Sequence, residues 1–149
     1  MRYNRHLTPE ELQQTFSAEV CQVKCIQSAD AYYALSEGEA DATTVLHLLS
    51  VVYTAYFIND TIEGEWPIEL FRVAEAALYE CAVTGERSGN FNIPVALQIE
   101  IQRVLSLYIH HLAHVPIFVH VSAEERAAEH LSSGSASPIP REPTQRPTH

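Results

Sequence analysis

Bases are scarce in the middle of this 149-residue chain: between residues 30 and 100 only Arg72 and Arg87 stand against twelve Asp or Glu. That stretch carries the whole formal net charge of −10, because outside it seven acids balance seven bases. An acidic surface repels phosphate backbones and anionic lipid and draws basic partners toward it, so neither direct nucleic-acid binding nor membrane association is expected. Lysine is nearly absent, Lys24 being the single one against eight arginines, a bias that suits GC-rich coding DNA and a bacterial or phage source. The five glycines, at 38, 64, 85, 89 and 134, are isolated from one another, so no glycine-rich phosphate loop exists. Three cysteines are an odd number without a secreted framework, which predicts reduced thiols.

Other absences narrow the field further. No apolar run follows Met1-Arg2-Tyr3-Asn4-Arg5-His6 that could serve as a signal-peptide core, and a cytoplasmic protein is expected. The longest apolar stretch, residues 45–58, falls short of the roughly 20 residues of a membrane span and reads as a buried helix. Cys21 and Cys25 are four apart rather than in a redox CxxC, and read as small packed residues. No G-x-S-x-G elbow or catalytic cysteine signature is present. No motif fixes a reaction, and the expectation is a protein that is not an enzyme.

What remains is an ordinary globular composition, 46% apolar and 19% charged. Scarce glycine, with four of the eight prolines beyond residue 137, leaves an interior suited to long helices. Thr8-Pro9-Glu10-Glu11 is a capping box with proline at the first helical position. Leu12, Phe16, Val20, Val23 and Ile26 follow at spacings of four, four, three and three, which predicts one helix to about Leu35 with these residues inward. After Ser36-Glu37-Gly38-Glu39, with Asp41 as a competing cap, a second helix is predicted over residues 40–62. Its polar residues Thr43, His47, Ser50, Thr54 and Thr61 fall on one stripe, and the rest is apolar nearly all round. Such a helix is either the centre of a bundle or an interface on one face.

A third helix is predicted over residues 67–84, stopped by Gly85, with Leu70, Phe71, Ala74, Ala77, Leu78 and Cys81 inward. Residues 86–92 read as a loop, with Asn92 capping a fourth helix that presents Leu97, Ile101, Val104, Leu105, Tyr108 and Leu112. Pro116 ends it, residues 117–121 read as an extended piece or a turn, and Ser122-Ala123-Glu124-Glu125 opens a short fifth helix. The expected fold is all-α: an irregular four-helix bundle plus a short C-terminal helix, one domain over residues 1–131, then a flexible Ser/Pro-rich, disordered tail over residues 132–149.

His110 and His114 stand one turn apart, the one cluster with metal-ligand spacing. Taken with His47, the set resembles the histidines of four-helix metalloenzymes of the DinB-like group, which use one early helical histidine and a later pair one turn apart. The resemblance implies zinc or iron on His47, His110 and His114. Read on their own, the histidines form the polar end of the fourth helix, continuing Gln98, Gln102 and Ser106, and need no cofactor. Asp60, Glu63 and Glu65 cluster at an interhelix turn and read as a solvated loop.

Three functional readings follow. The first is a small acidic protein–protein interaction module, an adaptor or inhibitor of phage or mobile-element origin. It would meet a partner with a basic surface, or a second copy as a homodimer, through Glu37, Glu39, Asp41, Asp60, Glu63 and Glu65. The second is a metal-binding bundle on the three histidines. The third is a helical small-molecule binder lined by Tyr53, Tyr56, Phe57, Trp66 and Tyr79.

Overall fold

The computed structural model describes residues 7–134 and 137–140. Six helices follow one another: α1 (Pro9–Leu12), α2 (Ala18–Ser36), α3 (Ala42–Thr61), α4 (Ile68–Ser88), α5 (Val95–His114) and α6 (Ile117–Ser133). No strand occurs among the described residues, and the fold is all-α. One antiparallel bridge, Ala40 with Phe91, ties the α2–α3 and α4–α5 connections together.

α3 is the centre. It packs against α2, α4, α5 and α6, and every residue from 51 to 59 is buried. By length and composition α3 could cross a membrane, so the reading of its apolar stretch as too short is corrected; 67% of its most apolar window is buried inside the bundle. The polar stripe dips into the core at its middle: Thr54 is buried, His47 and Ser50 half-buried, Thr43 and Thr61 exposed. Asp41 is the cap, its carboxylate accepting from the Thr44 amide at 3.0 Å.

Four boundaries differ from the sequence reading, each for a local reason. The single first helix is two. α1 ends after one turn, and α2 restarts where Ser17 caps the Val20 amide at 3.2 Å. The break lets Phe16 turn into the core and lets the Gln14 carbonyl accept from the Ile117 amide at 2.8 Å, fastening the entry of α2 to the start of α6. It also resets the phase of the helix: Ser28, Tyr32 and Leu35 point inward, while Val23 and Ile26 are 54% and 51% exposed.

The second difference is at the end of α3. Gly64 follows the predicted end of this helix and is the residue expected to stop it, but Glu63 takes the left-handed conformation (φ 54°). Gly64 then donates to the Asn59 carbonyl at 2.8 Å and Glu63 to that of Asp60 at 3.3 Å, a Schellman closure. Gly64 serves close approach instead, since a Cβ there would stand 2.2 Å from Asn59 Oδ1. Because a side chain at positive φ costs about 1 kcal/mol relative to glycine, Glu63→Gly is expected to raise stability by up to that amount. An unchanged urea midpoint would show that φ 54° carries no strain here.

Third, α4 runs through Gly85 to Ser88 and closes at Gly89 in the left-handed region. Gly85 is buried inside the helix because the Phe91 ring lies on it, 2.0 Å from where a Cβ would be. Fourth, residues 117–121 are neither extended nor a turn. Pro116 stands as N-cap of α6, and Val119, His120, Ala123 and Ala127 form its inward face at helical spacing. Asn92 is exposed and makes no cap; Pro94 precedes α5. α6 takes in Ser132 and Ser133, and beyond it Ile139 is buried against the core. Residues 141–149, the rest of the expected tail, lie outside the described residues.

Candidate functional site

The break before α2 shapes a groove open to a ligand. α2 and α5 run antiparallel: Tyr32 meets Gln98 and Gln102 at one end, where Gln102 Nε2 donates to the Tyr32 hydroxyl at 2.8 Å. At the other end the Cys21 thiol donates to the Leu112 carbonyl at 3.4 Å. There the helices part into a groove of about 770 Å3, walled on one side by Phe16, Cys21, Cys25 and Ile26 and on the other by Ile109 and Leu112. No charged side chain lines it, and Gln22 is its single polar one. Burial and the neighbouring Cys25 push the Cys21 thiol up, so both thiols belong to an apolar wall rather than to a nucleophile pair.

Behind Phe16 lies a junction of charged and titratable groups from four helices. Lys24 of α2 bridges Glu124 of α6 at 3.0 Å, with the ammonium 5.4 Å from the Phe16 ring centroid. His120 of α6 is fully buried, packs 4.9 Å from the Phe16 ring, and donates through Nε2 to the His111 carbonyl at 2.8 Å. Nδ1 of His111 and of His120 is buried without a hydrogen-bond partner. Burial holds His120 below the ordinary histidine value, and burial with the neighbouring imidazoles brings His111 down to about 4. Burial, and next Lys24, lower His47 of α3 as well, so all three are neutral imidazoles at neutral pH.

The sequence-predicted residues are dispersed around this junction. His110 and His114 come together: their rings stack at 4.2 Å, both are exposed, and His114 Nδ1 donates to the His110 carbonyl at 2.9 Å. That bond lies within the last turn of α5. His47 sits half-buried on α3, and among the described residues no group of three His, Cys, Asp or Glu side chains stands where it could hold one ion. Glu37, Glu39 and Asp41 are exposed before α3, and Asp60 in its last turn and Glu63 and Glu65 after it are exposed. A 20-residue helix separates these two clusters by roughly 30 Å, so they form two acidic ends rather than one face. Tyr53, Tyr56 and Phe57 pack in the core, Trp66 and Tyr79 are 48% and 44% exposed, and none of them lines the groove.

Sequence reasoning missed the groove and the junction. The one signal for the junction was Lys24, the sole lysine, which was read only as composition. Glu124 reads in the sequence as part of a capping box and His120 as a candidate third ligand for His110 and His114, and no spacing rule brings either of them to Lys24 or His111. The signal for the groove was present but assigned to the wrong side, since Ile26 was placed inward on an unbroken helix. Comparison of the chain with protein-family models, with curated proteins and with solved structures finds no match to any of them.

Proposed function

We propose that this protein is a small acidic, non-enzymatic interaction module, an adaptor or inhibitor that binds a protein with a basic surface. The observation that carries the reading is the outward face of α2, where Val23 and Ile26 are half-exposed and Ile26 walls an uncharged groove on a chain of net charge −10. Aliphatic side chains left in water beside a concave apolar wall are a docking feature, and excess negative charge speeds encounter with cationic partners. The titratable junction supports a scaffold rather than a reaction: Lys24 and Glu124 pair with each other, and His111 and His120 are closed off from solvent.

The test is affinity capture with the tagged full-length protein from lysate of its own host or host bacterium, followed by mass spectrometry at low and moderate salt. A single basic protein retained at low salt and released at moderate salt is the expected result. Retention of nothing, or only of an acidic protein, would remove the reading.

A further inference from the structure

Along the outward side of α2, Glu19, Val23, Ile26 and Asp30 recur at spacings of four, three and four, which places them on one helical stripe. All four are exposed. Between positions 18 and 30 this stripe carries the only charges on the exposed surface of α2, and both are negative, since Lys24 is turned inward to Glu124. Val23 and Ile26 stand between the two carboxylates, and Ile26 is also a wall of the groove between α2 and α5. Eleven residues of helix put the carboxylates about 16 Å apart. Apolar pair, carboxylate at each end and open groove alongside form one continuous surface.

Resting on the interaction-module reading, we infer that this surface docks a cationic amphipathic helix of another protein. The apolar stripe of that helix lies along Val23, Ile26 and the groove, and a Lys or Arg near each end meets Glu19 and Asp30. The geometry is that of a helix laid in an apolar groove, with the charges setting register and direction. Charge argues against a second copy as occupant. Two α2 helices packed antiparallel about a two-fold axis would set Glu19 of each against Asp30 of the other, and parallel packing would set each carboxylate against itself. Two such copies also bring a formal −10 each. The groove's lack of any charged or hydrogen-bonding side chain except Gln22 suits an aliphatic stripe rather than a polar metabolite.

The probe is a fluorescein-labelled 18-residue helical peptide of Leu and Lys, with Leu at heptad a and d positions. Beside it run a scrambled peptide of the same composition and a peptide with Glu in place of Lys. Fluorescence anisotropy with the full chain is expected to show micromolar binding of the patterned peptide and at least tenfold weaker binding of the other two. Ile26→Glu, at a half-exposed position that leaves the core intact, is expected to weaken the patterned peptide at least tenfold with an unchanged circular dichroism spectrum. The pair Glu19→Lys with Asp30→Lys is expected to move the preference to the Glu peptide. Equal binding of patterned and scrambled peptides, or no effect of Ile26→Glu, overturns the inference. So does a wild-type dimer that Ile26→Glu dissociates, because the surface would then belong to a second copy. The two readings fail separately: a basic host protein captured equally by wild type and Ile26→Glu leaves the module standing and removes this site.

Discussion

Between pH 6.5 and pH 4 the protein is expected to lose about 3 kcal/mol of folding stability. The source is the imidazole pair at the start of α6. His111 is 3% exposed and His120 fully buried. His120 spends its Nε2 hydrogen on the His111 carbonyl, and the remaining Nδ1 of each ring faces no acceptor. A second proton on either ring would therefore place a charged N–H in the core without a partner. The groups facing them do not change this: Glu124 and the bond to the His111 carbonyl favour charging His120, Lys24 and burial oppose it, and burial prevails. For His111 the neighbours His120 and His110 add to the effect of burial.

The sign follows from which state binds more protons. The unfolded chain titrates these histidines near 6.5, whereas folded His111 holds out to about 4. The folded state is the proton-poor one, so the stabilisation is complete above the unfolded value and is lost as pH falls toward the folded value. Titration moved from 6.5 in the unfolded chain to about 4 in the folded one gives about 3 kcal/mol for His111, and His120 and His47 act in the same direction. Against a total of about 5–15 kcal/mol, that is enough to bring a marginal domain near its unfolding midpoint. Urea midpoints measured at pH 7, 5.5 and 4.5 check the prediction. A midpoint that stays level across this range contradicts it, and His111→Leu should flatten most of the slope.

Tyr53→Phe is expected to be the most damaging single-atom change, at about 3–5 kcal/mol. Tyr53 is 1% exposed on α3, and its hydroxyl donates to the Glu75 carboxylate of α4 at 2.5 Å while standing 3.0 Å from the Tyr79 hydroxyl. Glu75 is itself buried. Burial, with the bond to Glu75 next, pushes the Tyr53 phenol far up, so it remains a donor across all accessible pH. Removing that one oxygen strips a buried carboxylate of its donor, which is costlier than losing a neutral bond. Glu75→Leu leaves the Tyr53 hydroxyl with Tyr79 still in reach and should cost about 1 kcal/mol. The double variant, with an apolar contact replacing the pair, should fall close to Glu75→Leu alone. Thermal or urea unfolding of the four proteins yields the coupling energy, expected at about 3–5 kcal/mol because the double variant recovers nearly the whole Tyr53→Phe loss. A Tyr53→Phe protein within 1 kcal/mol of wild type would falsify this account.

The contrast between these sites and the outline of the fold shows what kind of information a single sequence holds. Thr8 and Asp41 cap helices as their side chains suggest, because a cap is a bond between residues three apart. The apolar α3 is central because an almost uniformly apolar helix has no face fit for water. Both inferences are local, or depend only on composition. Helices α1 and α2 look continuous for the same reason that they are not: the spacing of Leu12, Phe16 and Val20 is compatible with one helix. Beyond the Ser17 cap, it is the room for Phe16 beside His120, and the bond from Ile117 to Gln14, that favour the break. Those partners lie about a hundred residues away.

Periodicity, charge and capping residues by themselves determined that this chain is helical, where most of its helices begin, which of them is innermost, and that its surface is acidic. Tertiary structure alone decided which side of α2 faces water, that a groove opens between α2 and α5, and that Lys24, Glu124, His111 and His120 share one junction. The physical reason is that a helix's own sequence sets the angle between its residues but not the direction in which the set points. That direction is chosen by whatever packs against it, here α3 and α5. A one-turn break suffices to rotate Val23 and Ile26 from core to solvent, and with them the surface on which a partner would dock.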